Sequence, residues 1–290
     1  MENSLSGKSY VVTGATSGIG LATAAALVRQ GAFVIGIGRS AERCQAAQAR
    51  LQALNPNAKV ACLVADLALQ SQVRALRPAI QALLEAEGHP WLDGLVNNAG
   101  TFTYWLTFTP EGFETQWAVN HLAPFLLTQV LLPLLMAAPA ARVVTVSSDS
   151  HYGGRLNWDD LQLRRHYNGL QAYENTKLAN VLFTVEFNRL VGAQCAVRAF
   201  AADPGLVKTD IGLKGNPPLV RWIWQQRRSG GTPPERPAEG IVYLLSEPSL
   251  QGATEYYWKD GKAKRPKPQA LDSVAATRLW AQSARMCGIE

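Results

Sequence analysis

The sequence is poor in cysteine, and the four it has, Cys44, Cys62, Cys195 and Cys287, stand singly. No two are spaced Cys-x-x-Cys, so the usual frameworks for structural zinc and thioredoxin-type exchange are missing and no metal site is expected. Scattered single thiols suit a reducing compartment, and a cytoplasmic setting is expected. The start, Met1–Lys8, has no basic flank followed by an apolar run, so no signal peptide is expected there. Long hydrophobic runs are missing too. The longest apolar stretch, His121–Met136, is interrupted by Pro124, Gln129 and Pro133 and falls short of the ~20 residues of a membrane span, so it reads as a buried helix. Charge of one sign is not in large excess. Part of the net +6 sits in Lys262, Lys264, Arg265 and Lys267, broken by Pro266 and Pro268. That segment reads as a solvated turn, with peripheral contact to an anionic membrane as the other reading. No nucleic-acid partner is expected, because neither a basic face with stacking aromatics nor a recognition helix is visible.

What is present is a regular alternation. Continuous apolar runs, Tyr10–Val12, Phe33–Ile37, Val60–Val64, Leu92–Val96, Arg142–Val146 and Ala196–Phe200, read as strands covered on both faces. Helix-like segments lie between them: Ile19–Gln30, Ala41–Leu54, Gln70–Glu87, Gly112–Met136 and Tyr173–Val191, with Gly31 placed as a left-handed cap. The pattern predicts a single α/β domain over residues 1–290: a doubly wound parallel sheet of about seven strands with helices on both faces. There is no internal repeat and no linker. Residues 205–237, rich in Pro and Gly and containing Arg221-Trp222-Ile223-Trp224, read as a substrate lid, and Leu271–Met286 as a tail helix.

The first strand runs into Thr13-Gly14-Ala15-Thr16-Ser17-Gly18-Ile19-Gly20 and a helix follows at once. Gly14 permits a tight turn, Gly18 lets backbone approach a pyrophosphate, and Gly20 lets the helix pack on the sheet. The helix N-terminus, from Thr16 to Ile19, offers N–H groups and partial positive charge to phosphates. The second strand ends in Gly38-Arg39-Ser40, where a dinucleotide fold that prefers NAD usually carries a carboxylate. Arg39, with Arg43 nearby, matches a phosphate dianion instead, which makes NADP(H) the expected cofactor. The competing reading is a solvated arginine at a helix start. Asp66 and Leu67 follow the third strand and are placed beside the adenine, although Asp66 also suits a helix cap.

Only one of the eight tyrosines has lysine four residues later, Tyr173-Glu174-Asn175-Thr176-Lys177. On a helix the two share a face. A free tyrosine, with a pKa of ~10, is too weak an acid to act as a base near neutrality. A nearby ammonium favours phenolate, and the correction needed is roughly 3–4 kcal/mol. Alone, such a pair is usually a surface helix pair. Here Asn97-Asn98-Ala99-Gly100, Asn120, Ser147-Ser148 and Pro204-Gly205-Leu206-Val207-Lys208-Thr209 accompany it, and in a parallel sheet these strand ends converge on one crevice.

With those residues in register from about Lys8 to Trp258, the sequence resembles the short-chain dehydrogenase/reductase family, a Rossmann-type fold. The resemblance implies an enzyme that interconverts an alcohol and a carbonyl. Tyr173 would pass the proton to or from the substrate oxygen, Ser148 would hydrogen-bond that oxygen, Lys177 would hold the nicotinamide ribose and favour phenolate, and Asn120 would hold a relay water. Asn97, Ala99, Gly100, Pro204, Gly205, Val207 and Thr209 would lie along the cofactor. Each position also has a structural reading: satisfied strand-end hydroxyls for Ser147 and Ser148, a helix brace for Asn120, a framework role for Asn97. Ser148 is preferred to Ser147 only by family register. His151 stands where many relatives have glycine, and reads either as a pocket residue or as a solvated loop histidine. The extended segment Arg155–Gln171, the lid tryptophans and the tail Ala276–Trp280 look like the branch that includes retinol dehydrogenases, implying an apolar, retinoid- or lipid-like substrate. The N-terminal anchor of some such proteins is not seen. Family members often pair through the helices carrying Asn120 and Tyr173, so a homodimer is an expectation. The alternatives are an NADP(H)-sensing binding protein without turnover and a related epimerase or dehydratase.

Overall fold

The computed structural model describes residues 4–208, 217–218 and 230–289. Thr209 and the Arg221–Arg228 part of the expected lid lie outside the described residues. The strands are β1 (Ser9–Thr13), β2 (Phe33–Gly38), β3 (Val60–Val64), β4 (Gly94–Asn97), β5 (Arg142–Val146), β6 (Arg198–Asp203), β7 (Tyr257–Lys259) and β8 (Lys262–Ala263). They form one sheet in the order β3-β2-β1-β4-β5-β6-β7-β8, parallel except for the last pair. The order reverses between β1 and β4, so a crevice opens at the carboxyl ends of those two strands.

Successive residues of β1 serve opposite faces, as a strand requires. Val11 joins Ile35, Leu95 and Val143 in one core, and Tyr10 and Val12 join Val34, Val96 and Val144 in the other. The first core is covered by α3 (Gln70–Ala86), α4 (Thr115–Met136), α5 (Gly169–Phe187) and α7 (Ser273–Met286). The second is covered by α1 (Gly18–Arg29), α2 (Ala41–Gln52) and α6 (Glu235–Ser246). Gly31, just past α1, has φ 84°, the left-handed cap read from the sequence. Helix α4 starts at Thr115, not Gly112, because the Glu114 carboxylate accepts from the Gln116 and Trp117 amides and fixes the first turn there. Helix α5 starts a turn before Tyr173, capped by Asn168.

The expected seven strands become eight. Asp260 (φ 48°) and Gly261 (φ 70°) make a two-residue turn with positive φ at both centres, which folds the two residues of β8 back onto β7. So short a strand leaves no hydrophobic run to read.

By length and composition α4 is apolar enough to cross a membrane, but 61% of its most apolar window is buried inside this fold. The tail helix α7 helps to bury it. The Trp280 ring stacks on Phe183 at 5.9 Å and meets Phe125 edge-on at 5.1 Å. Thr277 donates to Glu186 of α5, and His121 of α4 contacts Ser283 at 2.8 Å. Part of α5, one of the two helices through which a homodimer is expected, is thus occupied by the chain's own tail.

His121 is wholly buried, and desolvation pushes its pKa down to about 4, against a weaker opposing hydrogen bond to Asn180 Oδ1. A histidine depressed in the folded state binds protons more readily when unfolded, so its contribution to stability is complete above about pH 6.5 and is lost as pH falls towards 4. The loss amounts to about 3 kcal/mol. We expect the difference in unfolding free energy between pH 7 and pH 4 to shrink by roughly that amount in His121→Gln, measured by denaturant titration; an unchanged difference contradicts the assignment.

Candidate active site

A cleft of about 1070 Å³ opens at the switch point. Its floor is the glycine turn. Gly14 has φ 68° and Gly18 φ 54°, and a Cβ on Gly14 would lie 2.9 Å from Asn98 Nδ2 and 3.1 Å from Ala99 Cα. Gly14, Thr16, Ser17, Gly18 and Ile19 line the cleft. Gly20 does not; a Cβ there would collide with the Gly14 carbonyl, so its role is close packing of α1 on the turn. Thr13 knits the turn to β4: its hydroxyl accepts from the Asn98 and Ala99 amides at 2.9 Å, and its carbonyl accepts from Asn98 Nδ2 at 2.8 Å.

The start of α1 is chemically distinct. Helices α2, α4, α5 and α7 are capped by Ser40, Glu114, Asn168 and Asp272, and Glu111 accepts from the first amides of α3. Ser17 makes no side-chain cap on α1, and no acidic residue occupies that helix's first turn; α6 also lacks a side-chain cap but carries Glu235 in its first turn. Free N–H groups and the positive end of the helix dipole therefore face the cleft, as an anion requires. At the far end, Arg39 and Arg43 border the cleft, and neither guanidinium is paired with a carboxylate among the described residues. Asp66 and Leu67, which follow the adjacent strand β3, also line the cleft, and Asp66 Oδ1 accepts from the Ala68 amide in a local turn.

Tyr173, Lys177 and Ser148 meet at the other end of the same cleft, beyond the α1 terminus. Lys177 Nζ lies 5.4 Å from the centre of the Tyr173 ring and donates to the Val146 carbonyl at 2.9 Å. Burial of the ammonium lowers its pKa to about 8, which still leaves it largely charged at neutral pH. The two serines part company. Ser147 is buried and its hydroxyl donates to the Lys177 carbonyl at 2.8 Å. Ser148 Oγ accepts from the Ser150 amide at 3.1 Å, which leaves its O–H available as a donor. Phe102 packs edge-on to Tyr173, with ring centres 6.0 Å apart.

Several assigned positions move. Asn97 is 2% exposed and away from the cleft; its Nδ2 donates to Thr128 at 3.0 Å, so it joins β4 to α4, and Asn98 takes the place at the wall. Asn120 sits in a π-turn, Ala118–Leu122, and its amide is committed to Thr101: Oδ1 accepts from the Thr101 amide at 2.8 Å and Nδ2 donates to the Thr101 carbonyl at 2.9 Å. That side chain braces the loop after β4 and does not line the cleft. Ala99, Gly100, Pro204, Gly205 and Val207 all line it. So does Glu174, missed from the sequence because it lies between the two residues that drew attention. Its carboxyl is pushed above the usual range by burial, against the opposing charges of Lys267 and Arg155.

His151 is neither a pocket residue nor solvated. It is buried between Tyr152 and Tyr257, its Nδ1 lies 2.8 Å from the Ser148 carbonyl, and its Nε2 accepts from the Lys267 amide at 3.0 Å. The basic segment is not simply a solvated turn either: Lys264 pairs with Asp149 and Asp203, and Lys267 Nζ donates to the Gly154 carbonyl at 2.7 Å. Positive charge in this segment is drawn in by carboxylates and carbonyls around the site.

The model of the short chain dehydrogenase family matches residues 8–217. The chain belongs to that family. Mouse retinol dehydrogenase 14 is 38% identical over 98% of this chain and 86% of its own length, and mouse polyprenol dehydrogenase 36% identical over 97% and 84%. Among solved structures, a putative uncharacterized protein from Mycobacterium paratuberculosis is 32% identical with a TM-score of 0.75, covering 98% of this chain and 95% of its own. A metagenomic short-chain oxidoreductase solved with NADP is 25% identical with a TM-score of 0.63, covering 88% and 97%. In this family the uncapped α1 terminus and the glycine turn fit the diphosphate of a nicotinamide dinucleotide.

Placing a carboxylate at that terminus separates stability from binding. In Ser17→Asp the new charge caps α1 and stabilises the fold by about 0.5–1 kcal/mol, while it competes with the dinucleotide phosphates. We expect a higher melting temperature without cofactor and at least about tenfold weaker NADPH binding by fluorescence titration. Unchanged affinity contradicts the phosphate assignment.

Proposed function

We propose that this protein is an NADP(H)-dependent oxidoreductase that interconverts an aldehyde or ketone with the corresponding alcohol. The observation that carries the reading is the convergence of Tyr173, Lys177 and Ser148 on the cleft into which the uncapped start of α1 points. When bound, the cofactor supplies or accepts the hydride. The chain's own residues handle the oxygen. Ser148 donates its O–H to the substrate oxygen while the Ser150 amide holds its Oγ from behind. Tyr173 delivers its phenolic proton to the same oxygen in reduction and withdraws it in oxidation. The ammonium of Lys177, desolvated and anchored on Val146, stabilises the phenolate left behind. Asn120 contributes at one remove, by fixing Thr101 beside the cleft.

The NADP(H) preference rests on Arg39 and Arg43, two cations bordering the cleft without carboxylate partners among the described residues, and is supported by the relative solved with NADP. An apolar, retinoid- or lipid-like substrate is supported by the named dehydrogenase relatives and by Phe108, Leu206 and Val207 in the wall. Glu174, Asp149 and Ser150 give the same wall a polar side. Peripheral membrane contact is the other reading of Lys262–Lys267, two of whose lysines, Lys264 and Lys267, are held by groups of the fold; Arg221–Arg228 lies outside the described residues. With α5 covered by the tail, we read the chain as acting without pairing through that helix.

Tyr173→Phe deletes the proton donor and keeps the ring. Turnover monitored by NADPH absorbance is expected to fall at least about 100-fold with the NADPH dissociation constant within a few-fold of wild type. Retained turnover contradicts the role. Arg39→Asp is expected to weaken NADPH relative to NADH by about 10- to 100-fold, the value of a charge-assisted contact. A ratio that stays put contradicts the cofactor assignment.

A further inference from the structure

A lysine just after β8, Lys264, joins the two sides of the cleft. Lys264 Nζ bonds Asp149 Oδ1 and, at 3.0 Å, Asp203 Oδ2. One ammonium thus contacts both carboxyls. Asp149 directly follows Ser148 and opens the short turn that Ser148 caps. Asp203 ends β6, and its Oδ1 accepts from the Gly205 amide at 2.9 Å, fixing the Pro204–Gly205 turn that lines the cleft. The Asp203 side chain is 0% exposed, so its charge depends on its partners. The other cation, Lys259, stands farther off, 3.7 Å from Asp203 and 3.6 Å from Asp149, and packs against Gly205. Lys264 is therefore the short contact of both carboxylates, and through them it touches the element that aims Ser148 and the element that aims Gly205.

We propose that Lys264 is a positioning residue that clamps Asp149 to Asp203 and so holds Ser148 and the Pro204–Gly205 turn in fixed register across the cleft. This rests on the oxidoreductase reading for its catalytic consequence, but not for its structural one. Without the ammonium, two neighbouring carboxylates, one wholly buried, share only the longer contacts to Lys259 and are driven apart. A displacement of about 1 Å at a group that must meet the reacting oxygen is enough for a loss of roughly 10- to 100-fold in rate.

The test compares Lys264→Met, Lys264→Arg, Lys264→Met with Asp149→Asn, and the exposed neighbour Lys262→Ala. Hydrogen exchange over residues 147–154 and 203–208 reads the clamp without any need for turnover. In Lys264→Met both segments are expected to exchange at least about tenfold faster, with Lys264→Arg and Lys262→Ala close to wild type. With a substrate that wild type reduces, kcat of Lys264→Met is expected to fall about 10-fold or more with KM changed less, and Lys264→Arg to recover most of it. Adding Asp149→Asn removes one of the repelling charges, so the double variant is expected to regain part of the lost protection. Unchanged exchange in Lys264→Met overturns the clamp; faster exchange with full kcat overturns its role in positioning the site. A wild type that turns over no carbonyl or alcohol refutes the oxidoreductase reading instead, and the exchange data then decide the clamp alone.

Discussion

The site depends on one ammonium held almost out of reach of water. Lys177 is 3% exposed and hangs from the carbonyl that ends β5, one helical turn from Tyr173. Putting a lysine there costs desolvation, visible in its lowered pKa. What offsets that cost is supplied by the fold: a strand end offering a free carbonyl, and a helix buried along almost its whole length so that the lysine cannot swing into solvent. A charge in so dry a place acts on the neighbouring phenol with far less screening than a surface lysine would.

The rest of the cleft follows the same economy of unsatisfied groups. Most helix starts in this protein are closed by a side chain from their own sequence or from a neighbouring loop, and α1 is left open where the glycine turn lets a ligand approach. Conversely, polar groups that look catalytic by type are spent on the framework. Ser147, Asn97 and Asn120 each satisfy a partner in the framework, and in doing so they fix the positions of Lys177, β4 and Thr101. The tail from Tyr257 to Met286 belongs to the same machinery, since it braces the Ser148 turn through His151 and Lys264 and covers α5 through Trp280.

The parallel sheet, the glycine turn and the Tyr173–Lys177 pair were legible because each is written locally: continuous apolar runs, glycines at fixed spacing, and two residues four apart on a helix. The choice between Ser147 and Ser148 was not legible locally, because it turns on which hydroxyl meets the Lys177 carbonyl 30 residues away. Asn97 and Asn98 are adjacent and alike, and only the strand pleat decides which of them faces the cleft. Lys264 read as a solvated charge because its partners, Asp149 and Asp203, are 115 and 61 residues distant in sequence. Long-range pairing of charge leaves no periodic trace, so the tail's contribution to the site emerged only in three dimensions.

The central claim is that the buried Lys177 charge makes Tyr173 a usable base. The pH dependence of kcat for alcohol oxidation, measured at saturating cofactor in wild type and in Lys177→Met, tests it most directly. Loss of the ammonium is predicted to move the rise of activity towards alkaline pH as well as to lower the plateau. Two profiles that differ in height alone, with the rise at the same pH, contradict the account.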